Sequence, residues 1–354
     1  MTTLSQALAP GQLTSGRLPK FVLPTALIGS AAVAFAVSVL AAGGNVAVAV
    51  ILAYLLFLVV MEIAARVVEG ARQAADHRAR HLIVGAFILA LIPLLSVSWE
   101  AASKGLARFD LEFFGRSMRN VVGEGGGALH AIYGTLWVTG LAALISVPIG
   151  LMTAIYLAEY GNRGRLASSI TFFVDVMTGV PSIVAGLFAY SVMTLVLGPG
   201  AFFGFSGSIA LSVLMIPVVV RSCEELLRLV PNELREAAYA LGVPKWVTIV
   251  KVVVPTAISG IVSGVILAVA RVIGETAPLL IAAGFTASIN NNPFGNPMMT
   301  LPVFVYDSYA HPGVDVNAYW DRAWAGALTL ILIVMLLNLA GRLIARRFAP
   351  RVGR

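Results

Sequence analysis

The chain is 354 residues long, 59% hydrophobic, only 12% charged, and carries a formal net charge of +7. Soluble domains are roughly 45–50% apolar and about 25% charged, so this composition excludes a water-soluble globule and specifies an all-α polytopic membrane bundle, whose helices satisfy their own backbone groups in lipid. The surplus of cations lies in clusters between apolar runs, a signature of membrane topology and not of nucleic-acid binding.

Several apolar runs reach the length needed to cross a hydrocarbon core about 30 Å thick, and spans are read near 22–43, 46–65, 81–99, 131–158, 171–198, 207–222, 255–284 and 323–345. The first follows Arg17 and Lys20 but exceeds the usual 7–15-residue core of a secretory signal. A second run follows almost at once without a small-residue cleavage site, so the first is expected to be retained. The two close on Gly43-Gly44-Asn45. Residues 1–70 are therefore read as an N-terminal transmembrane hairpin, peripheral or lipid-facing, with few polar atoms besides Glu62. A six-helix core is expected over 71–345, followed by a basic tail, 346–354.

Lys and Arg sort the connections onto two sides. One side collects Arg17, Lys20, Arg66, Arg72, Arg78, Arg80, Arg163, Arg165, Arg228, Arg235, Lys245, Lys251, Arg342, Arg346, Arg347, Arg351 and Arg354, which predicts a cytoplasmic face and both termini inside. The other side has the Gly43-Gly44 turn, the mixed-charge segment 100–130, the GPGAFFG turn at Gly198–Gly204 and the 285–322 loop. His77 and His81, at i and i+4 in an Arg-rich segment, read as a solvated basic face and not as a metal site. His130 and His311 have no metal-ligand spacing either. Cys223 is the lone cysteine, so no internal disulfide is available, and it reads as an inert small residue.

In the 171–198 run, Asp175 lies about a turn inside the helix and reads as a cap or packing group before a pathway group. Gly179-Val180-Pro181-Ser182 has two readings: a widened or unwound helix with Ser182 as a hydroxyl donor, or close packing through small side chains.

The connection between Ser222 and Pro255 opens with dense mixed charge, EELLRLVPNELREAAYALGVPKW from Glu224 to Trp246. Asn232 suits a helix cap, and Glu233 and Glu236 favour the positive N-terminal end. Leu234, Ala237, Ala238 and Leu241 space as one apolar face. Gly242 permits a sharp stop, and Pro244 can open the next helix at its first turn. The pattern fits a knob that docks on another protein, and equally a helix lying on the bilayer surface.

Within the 255–284 run, Gly260 and Gly264 read as helix contacts. Arg271 and Glu275 stand four residues apart in ARVIGETAPLL. An arginine at mid-bilayer costs roughly 2.5–3.5 kcal/mol on insertion scales. As neighbours on one helical face the two can pair, giving either a structural ion pair or a positive charge lining an anion route. The 285–322 loop, with NNNPFGN at Asn290–Asn296 and with Asp307 and Asp315, is large enough to touch a partner or gate an outer mouth. No G-x-x-x-x-G-K-[ST] phosphate cradle occurs, and the serines lack a hydrolase setting.

Glu236-Ala237-Ala238, Gly242 four residues on, and Val252-x-Val254-Pro255 resemble the EAA loop of ABC-type importer permeases, with valines for the family's isoleucine and leucine. Four further stretches narrow the likeness: the GETAP core at Gly274–Pro278, GVPSIVAGLFAY at Gly179–Tyr190, Pro148-Ile149-Gly150 leading to YLAEY at Tyr156–Tyr160, and NPMMTLPVFVY at Asn296–Tyr306. Together they look like the PstA family, one of two permease subunits of bacterial phosphate importers. The likeness covers about residues 75–345; the spans at 22–65 depart from it.

The resemblance implies a substrate pathway at Arg271, Glu275, Ser182 and Thr276, with Arg271 meeting the anion while Glu275 holds the arginine and limits affinity. It implies ATPase coupling through Glu236, Ala237, Ala238, Gly242 and Pro255, and gating or packing at Gly179, Pro181, Gly274 and Pro278. It also implies that this chain binds no cofactor or metal, with ATP used by a partner ATPase subunit. The expected partners are a PstC-like permease subunit, two ATP-binding subunits, an extracytoplasmic phosphate-binding protein, the phosphate ion and membrane lipid, with no nucleic acid. By charge alone an arginine does not separate phosphate from sulfate or molybdate, and a non-transporting scaffold or sensor would carry the same cytoplasmic knob.

Overall fold

The computed structural model describes residues 17–161 and 164–348. Arg163, Arg351, Arg354 and the end of the basic tail lie outside them. All regular structure among the described residues is helical. Among the described residues seven helices are long and apolar enough to cross a membrane: Val22–Leu40, Val46–Val68, Ala71–Arg108, Leu129–Tyr160, Gly204–Arg228, Lys245–Val272 and Val316–Arg347. A bent pair, Arg165–Thr178 with Ser182–Leu197, supplies an eighth crossing if taken as one span. The chain is a multi-pass protein of the membrane. It divides into two compact units, residues 1–97 and 98–354.

In the first unit α1 (Val22–Ala42) turns back into α2 (Val46–Val68), where Asn45 caps α2 by accepting from the Ala47 and Val48 N–H groups at 3.0 and 3.4 Å. Ile28, Phe35, Leu40, Ile51 and Val67 stay exposed along the pair, as expected of surface turned to lipid. Glu62 accepts from Arg66 and Arg78 at 2.7 and 3.1 Å. Glu69 accepts from the Leu18 N–H at 2.6 Å and meets His77 Nε2 at 2.7 Å. That backbone donor, with His77, holds the Glu69 carboxyl below the usual carboxylate range. His77 and His81 are half-buried beside the exposed Arg72, Arg78 and Arg80, so the basic face is solvated only in part: the His81 ring packs edge-on against Phe57, with centroids 5.0 Å apart, and the His81 backbone carbonyl accepts from the Tyr54 hydroxyl at 3.0 Å. The difference arises because α3 (Ala71–Gly105) lays this turn against α2.

The second unit is built on α5 (Leu129–Ile155) and α8 (Gly204–Arg228). Val138, Leu211, Met215 and Val219 from these helices join the main core with Ile261, Leu279 and Phe304. A short α4 (Leu111–Gly115) precedes α5 and is capped by Asp110, which accepts from the Phe113 N–H at 2.7 Å and pairs with Arg108. The Phe113 bond above all holds the Asp110 carboxyl low.

Two of the long apolar runs that carry motif residues are interrupted. The 171–198 run is two helices, α6 (Arg165–Thr178) and α7 (Ser182–Leu197), bent by 109°. The 255–284 run is α11 (Val254–Val272) and a short α12 (Ala277–Ala282), separated by Gly274, Glu275 and Thr276. Each break is followed by a proline that starts the next helix, Pro181 at the cap of α7 and Pro278 in the first turn of α12, positions where a missing N–H costs nothing. The 285–322 segment is not an open loop either. It contains α13 (Leu301–Ala310), whose Leu301, Val303 and Phe304 belong to the core, and the Leu301 N–H donates to Thr135 Oγ1 at 2.7 Å. The last helix, α14 (Val316–Phe348), packs against α11 and α13.

Candidate functional site

The breaks in two helices, together with α8, line an open cavity of about 250 Å3, in which Arg271 and Thr178 are exposed. Met177, Thr178, Val180 and Ser182 come from the α6–α7 bend, Leu214, Pro217 and Val218 from α8, and Arg271, Val272 and Glu275 from the end of α11. Arg271 lies in the last turn of α11, and Glu275 follows after the helix has stopped. The expected ion pair between them is absent: among the described residues neither side chain has a hydrogen-bond or ion-pair partner. The i, i+4 register that would join them exists only in a continuous helix, and α11 stops at Val272.

Ser182 opens α7 directly after the cap position Pro181, and its hydroxyl makes no cap bond. The cavity thus gathers one guanidinium, one carboxylate and the hydroxyls of Thr178 and Ser182, all without protein partners on that wall apart from Thr178, which donates to the Asp175 carbonyl at 2.6 Å. Thr276 precedes α12 without a side-chain cap bond and is not among the cavity residues. Gly179 caps the C-terminal end of α6, and a Cβ on Gly274 would meet open space. Pro278 is buried and serves packing: a Cβ on Gly186 of α7 would lie 2.7 Å from the Pro278 Cα, so this crossing admits no side chain there.

One turn along α6 from Thr178, Asp175 pairs with Arg221 of α8. Arg221 also meets Glu224 at 3.1 Å, and Glu224 meets Arg228 at 2.7 Å. Asp175 is therefore an inter-helix tie and not a helix cap. Arg221 was given no role by the sequence, since its partners lie on another helix and one turn along its own.

Just beyond Arg228, at the same C-terminal end of α8, the chain forms α9 (Asn232–Ala240), a turn at Gly242 with φ +76°, and α10 (Lys245–Thr248) leading through a π-helical turn, Ile249–Val253, into α11. Pro231 occupies the cap position and Asn232 begins the helix, its Oδ1 accepting from Arg235 at 3.3 Å. Pro244 likewise sits at the cap of α10 rather than in its first turn, and Pro255 opens α11. Within α9 only Ala238 is buried, leaving Glu236 and Ala237 exposed, with Leu234, Tyr239, Leu241 and Trp246 also on the surface of this loop.

The loop is anchored by residues that sequence spacing did not link. Arg235 donates to Glu159 Oε1 from Nη2 at 2.7 Å and from Nε at 3.1 Å, and to the Leu227 and Val230 carbonyls at 3.0 and 2.6 Å. Lys245 Nζ donates to the Glu159 carbonyl and sits 4.7 Å over the Tyr160 ring. Glu159 and Tyr160 belong to the π-helical turn that ends α5 (Tyr156–Tyr160). The only sequence signal was YLAEY itself: a glutamate at the end of an apolar run needs a cation, but which cation depends on a separation of 76 residues.

A helical bundle with broken helices around a charged cavity, and an exposed helix–glycine–helix loop tied to the bundle, is the architecture of a membrane permease subunit. Residues 146–354 match the family described as binding-protein-dependent transport system inner membrane component. The phosphate transport system permease protein PstA 1 of Mycobacterium tuberculosis is 49% identical over 261 residues, 73% of this chain and 84% of that protein. PstA of Mycobacterium leprae is 46% identical over 78% of this chain and 90% of its own length, and PstA of Haemophilus influenzae 40% identical over 72% and 88%. The chain belongs to the PstA family of these inner membrane transport components. Its fold is shared with a chain of the inward-facing MetNI methionine ABC transporter, at TM-score 0.53, 19% identity, 63% of this chain and 96% of that chain. It is shared too with a chain of the bacterial alginate ABC transporter in complex with its alginate pentasaccharide-bound periplasmic protein, at TM-score 0.54, 13% identity, 79% and 97%.

Proposed function

We propose that this chain is the permease subunit of an ATP-driven inorganic phosphate importer, forming the translocation pathway with a PstC-like subunit. Two ATP-binding subunits hydrolyse the ATP, an extracytoplasmic binding protein delivers phosphate, and this chain itself binds no cofactor and performs no hydrolysis. Family membership over most of the chain supports the substrate class. The observation that carries the pathway is the unpartnered Arg271 guanidinium in the cavity with Thr178, Ser182 and Glu275. A phosphate leaving water needs compensating charge and donors, and a guanidinium supplies both. Binding that rests on one arginine and a few hydroxyls is weak enough for release.

Coupling runs through α9 and Gly242, whose exposed Glu236, Ala237 and Leu241 meet the ATPase subunit, while Arg235 and Lys245 carry the movement to the end of α5. The loop lies on the cytoplasmic side with both termini, as the basic residues between spans favour. ATP-dependent uptake of radiolabelled phosphate into vesicles carrying the assembled complex tests the reading. Wild-type uptake that falls by roughly 10- to 100-fold with Arg271→Gln in an intact complex is the expected result; equal uptake by the variant removes Arg271 from the pathway.

A further inference from the structure

Glu275 is unexplained by an anion cavity. A carboxylate beside a phosphate path repels the substrate unless another group neutralises it, and the obvious one, Arg271, does not touch it. The helix stops at Val272, so Glu275 is delivered into the same cavity as Arg271 as a separate group. About 250 Å3 of space stands there, enough for a tetrahedral anion with several waters when one water occupies about 30 Å3 of liquid.

A carboxylate accepts hydrogen bonds and donates none, whereas a guanidinium only donates. A ligand that satisfies both must itself be an anion and a donor. At neutral pH phosphate is such a ligand, because each of its forms keeps at least one P–OH. Arsenate shares this property. Sulfate and selenate have the same shape but carry only acceptor oxygens at that pH, and would leave Glu275 facing oxygen with no proton between them.

We propose that Glu275 is the specificity-determining residue of the cavity, accepting a hydrogen bond from the P–OH of phosphate while Arg271 donates to its charged oxygens, so that oxyanions without a proton are rejected. The proposal rests on the cavity being the phosphate pathway. Selectivity arises from a repulsive element as much as an attractive one. A site that hydrogen-bonds a substrate hydroxyl rejects analogues lacking it far more strongly than a site that only fits their shape.

The test uses the purified, assembled importer complex without its extracytoplasmic binding protein, so that selectivity reports the membrane subunits alone. Equilibrium binding of radiolabelled phosphate is measured with arsenate, sulfate and selenate as competitors, in wild type and in the Glu275→Gln, Glu275→Asp and Arg271→Gln variants. Wild type is expected to be displaced by arsenate at concentrations at least about tenfold below those needed for sulfate or selenate. Glu275→Gln, whose amide can donate as well as accept, should bring sulfate and arsenate to within about threefold of each other, and Glu275→Asp should restore the gap. Retention of the full gap in Glu275→Gln overturns the proposal, as does a wild type that sulfate displaces as readily as arsenate. Arg271→Gln should lose phosphate binding. If it binds phosphate like wild type, the pathway reading fails instead, an outcome separate from any change in selectivity at Glu275.

Discussion

Arg235 and Glu159 stand 76 residues apart and meet at 2.7 Å, whereas Arg271 and Glu275, four residues apart, do not meet. The first pair is largely withdrawn from water, with 13% and 4% of the side chains exposed, and two backbone carbonyls take up further Arg235 donors. The second pair is open to a cavity and has no partner among the described residues. Satisfied charges hold a structure together. Unsatisfied charges of the same types are available to a ligand, and are tolerated because helix breaks and a cavity give them somewhere to face.

The largest expected effect falls on the satisfied pair. Glu159→Gln leaves a buried guanidinium without its counter-charge and should destabilise the loop–bundle junction by about 3 kcal/mol. The readout is a lower melting temperature with loss of the co-purifying ATPase subunit. Replacing both partners with apolar residues of similar volume, Glu159→Leu with Arg235→Met, should recover most of the stability, and failure to do so would give the pair a role beyond holding the loop.

On the unsatisfied side, Arg271→Gln removes a charge-assisted donor worth roughly 1.5–3 kcal/mol, so phosphate uptake should fall by roughly 10- to 100-fold while thermal stability and assembly stay near wild type. A collapse of assembly in that variant would erase the contrast, making Arg271 structural like Arg235. Smaller effects are expected where the walls of the cavity pack. Gly186→Ala sets a Cβ against the Pro278 backbone and should cost about 1–3 kcal/mol and reduce uptake by displacing α7 from α12.

At Gly242 a side chain meets no atoms but must adopt φ +76°, which costs about 1 kcal/mol. Gly242→Val should therefore weaken ATPase docking, measured by co-purification, with membrane insertion unchanged. Least of all, removal of residues 1–65 should leave uptake intact. Loss of uptake and assembly together would assign the N-terminal helices a role in the core.

Much of this was legible in the chain. The apolar runs fixed an all-α bundle and most of its spans, and EAA–Gly–Pro and GETAP pointed to the permease family and to the residues that line or flank the cavity. The 255–284 run was read as one helix because hydropathy stays high across the stop after Val272 and the restart at Ala277. The expected Arg271–Glu275 pair failed because it assumed a continuous helix, whereas α11 stops at Val272. The 285–322 segment looked like an open loop because its core residues Leu301, Val303 and Phe304 form a run too short to register as a span.

By itself the sequence determined the class of fold, the order of the helices and the chemical types present at each motif, because burial in lipid and proline stereochemistry act locally. Only the tertiary structure decided which charges are satisfied. Arg235 finds Glu159, and Arg221 finds Asp175 across 46 residues, while Arg271 and Glu275 open into a shared cavity. Electrostatic partnership depends on distance in space, which falls steeply in importance beyond a few ångströms, and helix packing sets that distance independently of the separation along the chain.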